Sequence, residues 1–163
     1  MRYFFLVFIL AASSIKAQTM QSAREDANEL MTHALGFAEQ QLENYGEFFP
    51  FGIAMKPNGE IVLVAGHDGT ERPPSQDIID HLNAGFKNGA ISGEYKATAL
   101  TYDVRITLPN TGQPSDALTV ALDHLNDYSA LVFLPYSISD GQISYGELFA
   151  EKDENGIFGA SAN

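Results

Sequence analysis

Two dipeptides carry the residue types best able to do chemistry, His67-Asp68 and Asp123-His124. Each joins an imidazole that titrates near neutrality to a carboxylate, and each lies where an apolar run ends. Loops at strand ends on a rigid sheet are common seats of function. If the two ends converge, two imidazoles and two carboxylates meet, a set able to bind a divalent metal or to move protons. A small metal-dependent or acid/base hydrolase would use such a site. The alternative at each place is a strand-end His that caps a turn. His33 and His81 fall within helical patterns, no His pair has His-x-x-x-His spacing, and the chain has no Cys to complete a zinc site.

Other catalytic signatures are missing. There is no Gly-x-Ser-x-Gly nucleophile elbow, no Gly-x-Gly-x-x-Gly and no phosphate-binding loop with Lys, so no cofactor is expected. Asp153-Glu154-Asn155-Gly156 uses the vocabulary of a calcium loop but lacks the bidentate Glu at the twelfth position, and no metal site is assigned to it. Asp103 and Arg105 are the binding candidates. They alternate with Thr101 and Thr107 on the polar side of a long strand, where they form either a recognition stripe or a cross-strand pair. Phe48, Phe49 and Phe51 crowd one segment, as a ligand-facing patch or as core.

The elements that must position these residues are organised around Phe48–Ala65, which reads as a β-hairpin. Apolar runs Phe51–Met55 and Ile61–Ala65 flank Lys56-Pro57-Asn58-Gly59-Glu60, in which Pro presets φ and Asn-Gly tolerates positive φ. Both runs are apolar at nearly every position, so the hairpin is expected to be covered and central. Before it, Gln21–Tyr45 has an apolar stripe of helical period. Ser22 and Glu25 match a capping box at its start, and Gly46 is a left-handed cap at its end. A second helix is expected from Ser75, as N-cap, to about Asn88, with Gly89 or Gly93 at its exit.

Strands follow at Tyr95–Leu108, Asp116–His124, Tyr128–Tyr136 and Ile143–Ala150. In the first, Leu100, Tyr102, Val104 and Ile106 alternate with polar residues. In the second, Leu118, Val120 and Leu122 are expected inward, and Thr119, Ala121 and Asp123 outward. Tyr128–Tyr136 is apolar on both faces, with Pro135 expected near its end. Asp140-Gly141 makes a hairpin turn. The predicted fold is α+β, one twisted antiparallel sheet of about six strands with two helices, in the order α-β-β-α-β-β-β-β. This order resembles profilin-like and roadblock-like domains at the level of element sequence, although the fourth meander strand departs from their five-strand pattern. No activity is carried across by that likeness.

The chain has 163 residues, consistent with one domain. Arg2, the apolar run Tyr3–Ala12 and the small Ala17 have the shape of a secretory signal peptide over residues 1–17. Ten apolar residues are too few to span a bilayer, so no stable membrane insertion is expected after cleavage. The remainder, 18–163, reads as a single globular domain whose tail frays from about 152, exported to a periplasm or the exterior. Without Arg2 and Lys16, seven basic residues face 21 acidic ones, a formal charge of −14. That charge repels nucleic acid and anionic membrane, and it favours either solubility or a basic partner. Three functions remain open. The first is a non-enzymatic binding protein, in its specific form an immunity-like protein that neutralises a basic toxin. The second is the hydrolase that uses His67, Asp68, Asp123 and His124. The third is a structural subunit of an exported complex.

Overall fold

The computed structural model describes residues 6–64 and 73–158, with side chains from Ile15 onward. Two helices, α1 (Leu6–Tyr45) and α2 (Ser75–Ser92), pack on one antiparallel sheet. Its strands are β1 (Phe51–Met55), β2 (Ile61–Val64), β3 (Ala97–Thr107), β4 (Pro114–His124), β5 (Tyr128–Ser139), β6 (Gln142–Tyr145) and β7 (Phe149–Lys152). The strands run in the order β2-β1-β3-β4-β5-β6, and β7 also pairs with β5. The predicted α+β class and the meander from β3 onward are therefore present.

The helix α1 begins well before the expected Gln21, because the preceding residues include good helix formers and no Pro or Gly. Ser22 and Glu25 are consequently interior, and Glu25 accepts a hydrogen bond from Gln21 Nε2 at 2.9 Å instead of closing a capping box. The stripe Ala23, Ala27, Leu30, Ala34, Ala38 and Leu42 is buried. Its alanines bring the helix close to one sheet face, where Ile53, Met55, Ala99, Leu118, Val120 and Leu122 share its core. Burial of Leu30 and Leu42 contributes about 1.5–3 kcal/mol each. Gly46 ends the helix at φ 72°, donating its N–H to Leu42 O at 2.8 Å.

The opposite face is covered by α2. Ser75 is its first residue rather than its cap: Pro74 occupies the N-cap position, and no side chain caps the helix there. Gly93 closes its other end at φ 73°. Ile78, Leu82 and Phe86 pack on Ala54 and Leu100. Phe86 seats against the sheet because Gly52 has no side chain, since a Cβ there would lie 2.5 Å from Phe86 Cζ.

Two covered faces change the expected pattern. The first half of β3, Ala97–Thr101, is buried at every position, and alternation appears only beyond it. In β4, Leu118, Val120 and Leu122 point inward as expected, but Thr119 and Asp123, expected outward, are also buried. The hairpin turn holds Gly59 at φ 88°, as the Asn-Gly pair requires. Asp140 and Gly141 adopt φ 52° and 77°, the paired positive values of a type I′ turn.

The last predicted strand is split into β6 and β7. Pro135 lies inside β5, which continues to Ser139, and its carbonyl accepts the Gly146 N–H at 2.8 Å. The missing N–H of Pro135 faces the same edge, so the ladder cannot continue there and residues 146–148 loop out. The tail read as fraying from about 152 is tied down as far as Phe158, whose N–H donates to Asp123 Oδ2 at 2.8 Å. Ile157 packs beneath it on the α2 side of the sheet.

Candidate functional site

The candidate residues fall at the two ends of the β3–β4 pair. Lys96 precedes β3 and His124 closes β4, so both reach the face covered by α1. His124 is buried, and its Nε2 lies 3.0 Å from Asp26 Oδ2. Its Nδ1 accepts the Asn126 N–H at 3.0 Å. An accepting Nδ1 places the ring hydrogen on Nε2, which therefore donates to Asp26. Lys96 Nζ joins the same carboxylate oxygen at 2.8 Å. Burial works to raise the Asp26 carboxyl, but the hydrogen bonds and charges of Lys96 and His124 outweigh it and hold it below its usual range. Burial lowers the His124 pKa, with Lys96 adding to the effect and Asp26 opposing it, so the imidazole is neutral at pH 7. The trio fastens α1 to the sheet.

Asp123 is the residue next to His124 on a strand, so its side chain points to the other face. There it pairs with the strand position of Thr98 and accepts N–H groups from His124 at 3.1 Å and Phe158 at 2.8 Å. Burial raises its pKa despite these donors. Thus the sheet separates Asp123 from His124, and both ring nitrogens of His124 are engaged. His67 and Asp68, the other half of the sequence-predicted set, lie outside the described residues. Among the described residues no three His, Asp or Glu side chains converge as a metal site requires.

At the far end of the pair, Asp103 and Arg105 project on the α1 face beyond the buried part of the strand. Arg105 Nη1 binds Asp116 Oδ1 at 2.7 Å, directly across the β3–β4 register. Tyr136 of β5 donates its hydroxyl to Asp103 Oδ1 at 3.0 Å. Burial raises Asp103, and the charge of Asp116 adds to it. Burial and the Asp103 carboxylate push the Tyr136 phenol far up. Tyr145 of β6 pairs with Tyr136 across the ladder. Its phenol is raised by burial and then by Glu39 and Glu43 of α1. The last turns of α1 and the ends of β3 to β6 thus form one acidic patch around two tyrosines.

Sequence reasoning passed over Asp26, Lys96, Tyr136 and Tyr145. Only Asp26 carried a signal, a carboxylate on the flank of an apolar stripe between Ala23 and Leu30. Among the described residues no helix is long and apolar enough to cross a membrane. No family model, no curated protein and no solved structure matches this chain.

Proposed function

We propose that this chain is an exported, non-enzymatic binding domain that recognises a basic protein through the acidic tyrosine patch. The observation that carries the reading is the composition of that patch. Glu39, Glu43, Asp103 and Asp116 gather around Tyr136 and Tyr145, and the Arg105 guanidinium among them is already paired with Asp116. The surface is left with an excess of negative charge beside an aromatic ring that is 38% exposed. Aromatic side chains are favoured as interface anchors, and surrounding like charges steer an oppositely charged partner into register. The overall charge, −14 after removal of residues 1–17, supports the same choice of partner. Export follows from the signal-peptide pattern, and neutralisation of a basic toxin is its immunity-like form. The hydrolase reading draws no support from His124, whose ring nitrogens are both occupied.

The test is capture of partners from periplasmic extract, followed by association kinetics on the purified partner. A basic protein should bind, and its on-rate should fall steeply as salt shortens the Debye length toward about 8 Å at physiological ionic strength. Glu39→Gln with Glu43→Gln should slow association, whereas Glu60→Gln on the β1–β2 turn should not. An acidic partner, or an on-rate indifferent to salt and to the Glu39/Glu43 pair, counts decisively against this function.

A further inference from the structure

The tail after β7 is tied to the face of the sheet opposite the tyrosine patch, and Gly156 decides how closely it lies. Phe158 donates its N–H to the buried Asp123 carboxylate at 2.8 Å, and Ile157 packs on the α2 side. Gly156 fits between them and the sheet because it has no side chain: a Cβ there would lie 2.8 Å from Ser129 Oγ and 2.9 Å from Asp123 Oδ1. Asn155 precedes this glycine, and Asn-Gly is the dipeptide in which asparagine most readily loses its amide. The Gly nitrogen attacks the Asn Cγ, ammonia leaves, and water opens the cyclic imide to aspartate or isoaspartate. Glycine favours ring closure because no Cβ crowds the attacking nitrogen. The step needs a backbone N–H able to give up its proton and a side-chain amide free to swing onto it.

The chain has three Asn-Gly pairs, at Asn58, Asn88 and Asn155, and their surroundings rank them. Asn88-Gly89 lies inside α2, whose geometry commits the Gly89 N–H to the carbonyl one turn earlier. Gly89 is also pressed against the Tyr95 ring, where a Cβ would lie 2.2 Å from Cδ2. At Asn58-Gly59 both reacting groups are held. Gly59 N–H donates to Lys56 O at 2.9 Å, and Asn58 Oδ1 accepts the Glu60 N–H at 3.0 Å. Asn155 is exposed, and its own backbone N–H donates to Asp153 Oδ1 at 2.8 Å. Among the described residues, neither the Asn155 side-chain amide nor the Gly156 N–H makes a hydrogen bond.

We propose that Asn155 is a self-modification site, which deamidates through Gly156 in preference to Asn58 and Asn88, and that its isoaspartate product frees the tail from Asp123. Isoaspartate routes the main chain through the side-chain carbon and so adds a methylene just before the close Gly156 contact. The new carboxylate also joins Asp123, Asp153 and Glu154, while Lys87 and Lys152, which line the same cavity, offset part of that charge. Release of the tail uncovers Asp123 and the neighbouring floor of Leu100, Ala121 and Leu131. The site does not depend on the tyrosine patch.

Ageing the purified protein in mildly alkaline buffer, followed by digestion and mass spectrometry, reads all three asparagines at once. In the folded chain Asn155 should convert at least ten-fold faster than Asn58 and Asn88. In urea, where the local hydrogen bonds are gone, the three rates should converge to within a few-fold. Hydrogen exchange should then show the Phe158 amide losing protection in the isoaspartate fraction while amides of β3 and β4 keep theirs. Asn155→Gln, whose longer side chain closes the ring far more slowly, should keep Phe158 protected through the same ageing. Conversion at Asn58 or Asn88 as fast as at Asn155, or an undiminished preference for Asn155 in urea, overturns the proposal. So does a Phe158 amide as protected after conversion as before, or equal loss of its protection in aged Asn155→Gln.

Discussion

Replacing Asp26 with Ala should destabilise the fold by about 3 kcal/mol, the low end of the range for removing one partner of a buried ion pair. The low end applies because the side chains of Asp26 and Lys96 retain 17% and 21% exposure. Two losses make up the effect: Lys96 keeps its charge without a counter-ion, and the buried His124 Nε2–H is left without an acceptor. Asp26→Asn separates them. Its amide oxygen still accepts from His124 while the charge is gone, so the cost should be about 1–2 kcal/mol. Equilibrium unfolding in urea measures both. The pH dependence adds a second readout. His124 has a depressed pKa in the folded state, so its contribution is complete above its unfolded value of 6.5 and is lost as pH falls below it. Asp26 is also depressed, so its contribution is complete above 3.8 and is lost as pH falls through its lower folded value. The contribution of this trio to stability should therefore fall first below pH 6.5 and again below 3.8. In Asp26→Ala the second loss should shrink. A cost below about 1 kcal/mol for Asp26→Ala, or equal costs for Ala and Asn, would refute the structural role assigned to this trio.

Gly59→Val meets no neighbouring atom within 4 Å, so its whole cost is the backbone strain of a β-branched residue at φ 88°, about 1–2 kcal/mol. An unchanged unfolding midpoint would remove the turn assignment. Intact-mass analysis of the exported protein should place its amino terminus near Gln18, as the apolar run and Ala17 predict. Recovery of a soluble chain that retains Met1 would remove export from the proposed function.

Much of the fold was legible because local chemistry is local. Asn58-Gly59 and Asp140-Gly141 specify their turns through residues that accept positive φ, and the structure places positive φ at Gly59, Asp140 and Gly141. The spacing of Ala27, Leu30, Ala34 and Ala38 specifies a buried helix face without reference to the partner. The strand order of the meander follows from short connections between antiparallel neighbours.

What the sequence could not state depends on which faces are covered. Period-2 alternation names two faces but not their neighbours, so Asp123 reads as wet until the tail is placed over it. The same alternation puts Asp123 and His124 on opposite sides of the sheet, a consequence visible in a strand assignment but decisive only once different layers cover each side. Asp26 meets Lys96 and His124 across long sequence separations, and Glu39 reaches the surroundings of Tyr145 from another element. Such meetings are set by how a helix lies on a sheet, which is a property of packing between distant segments and leaves no period or spacing in the chain to read.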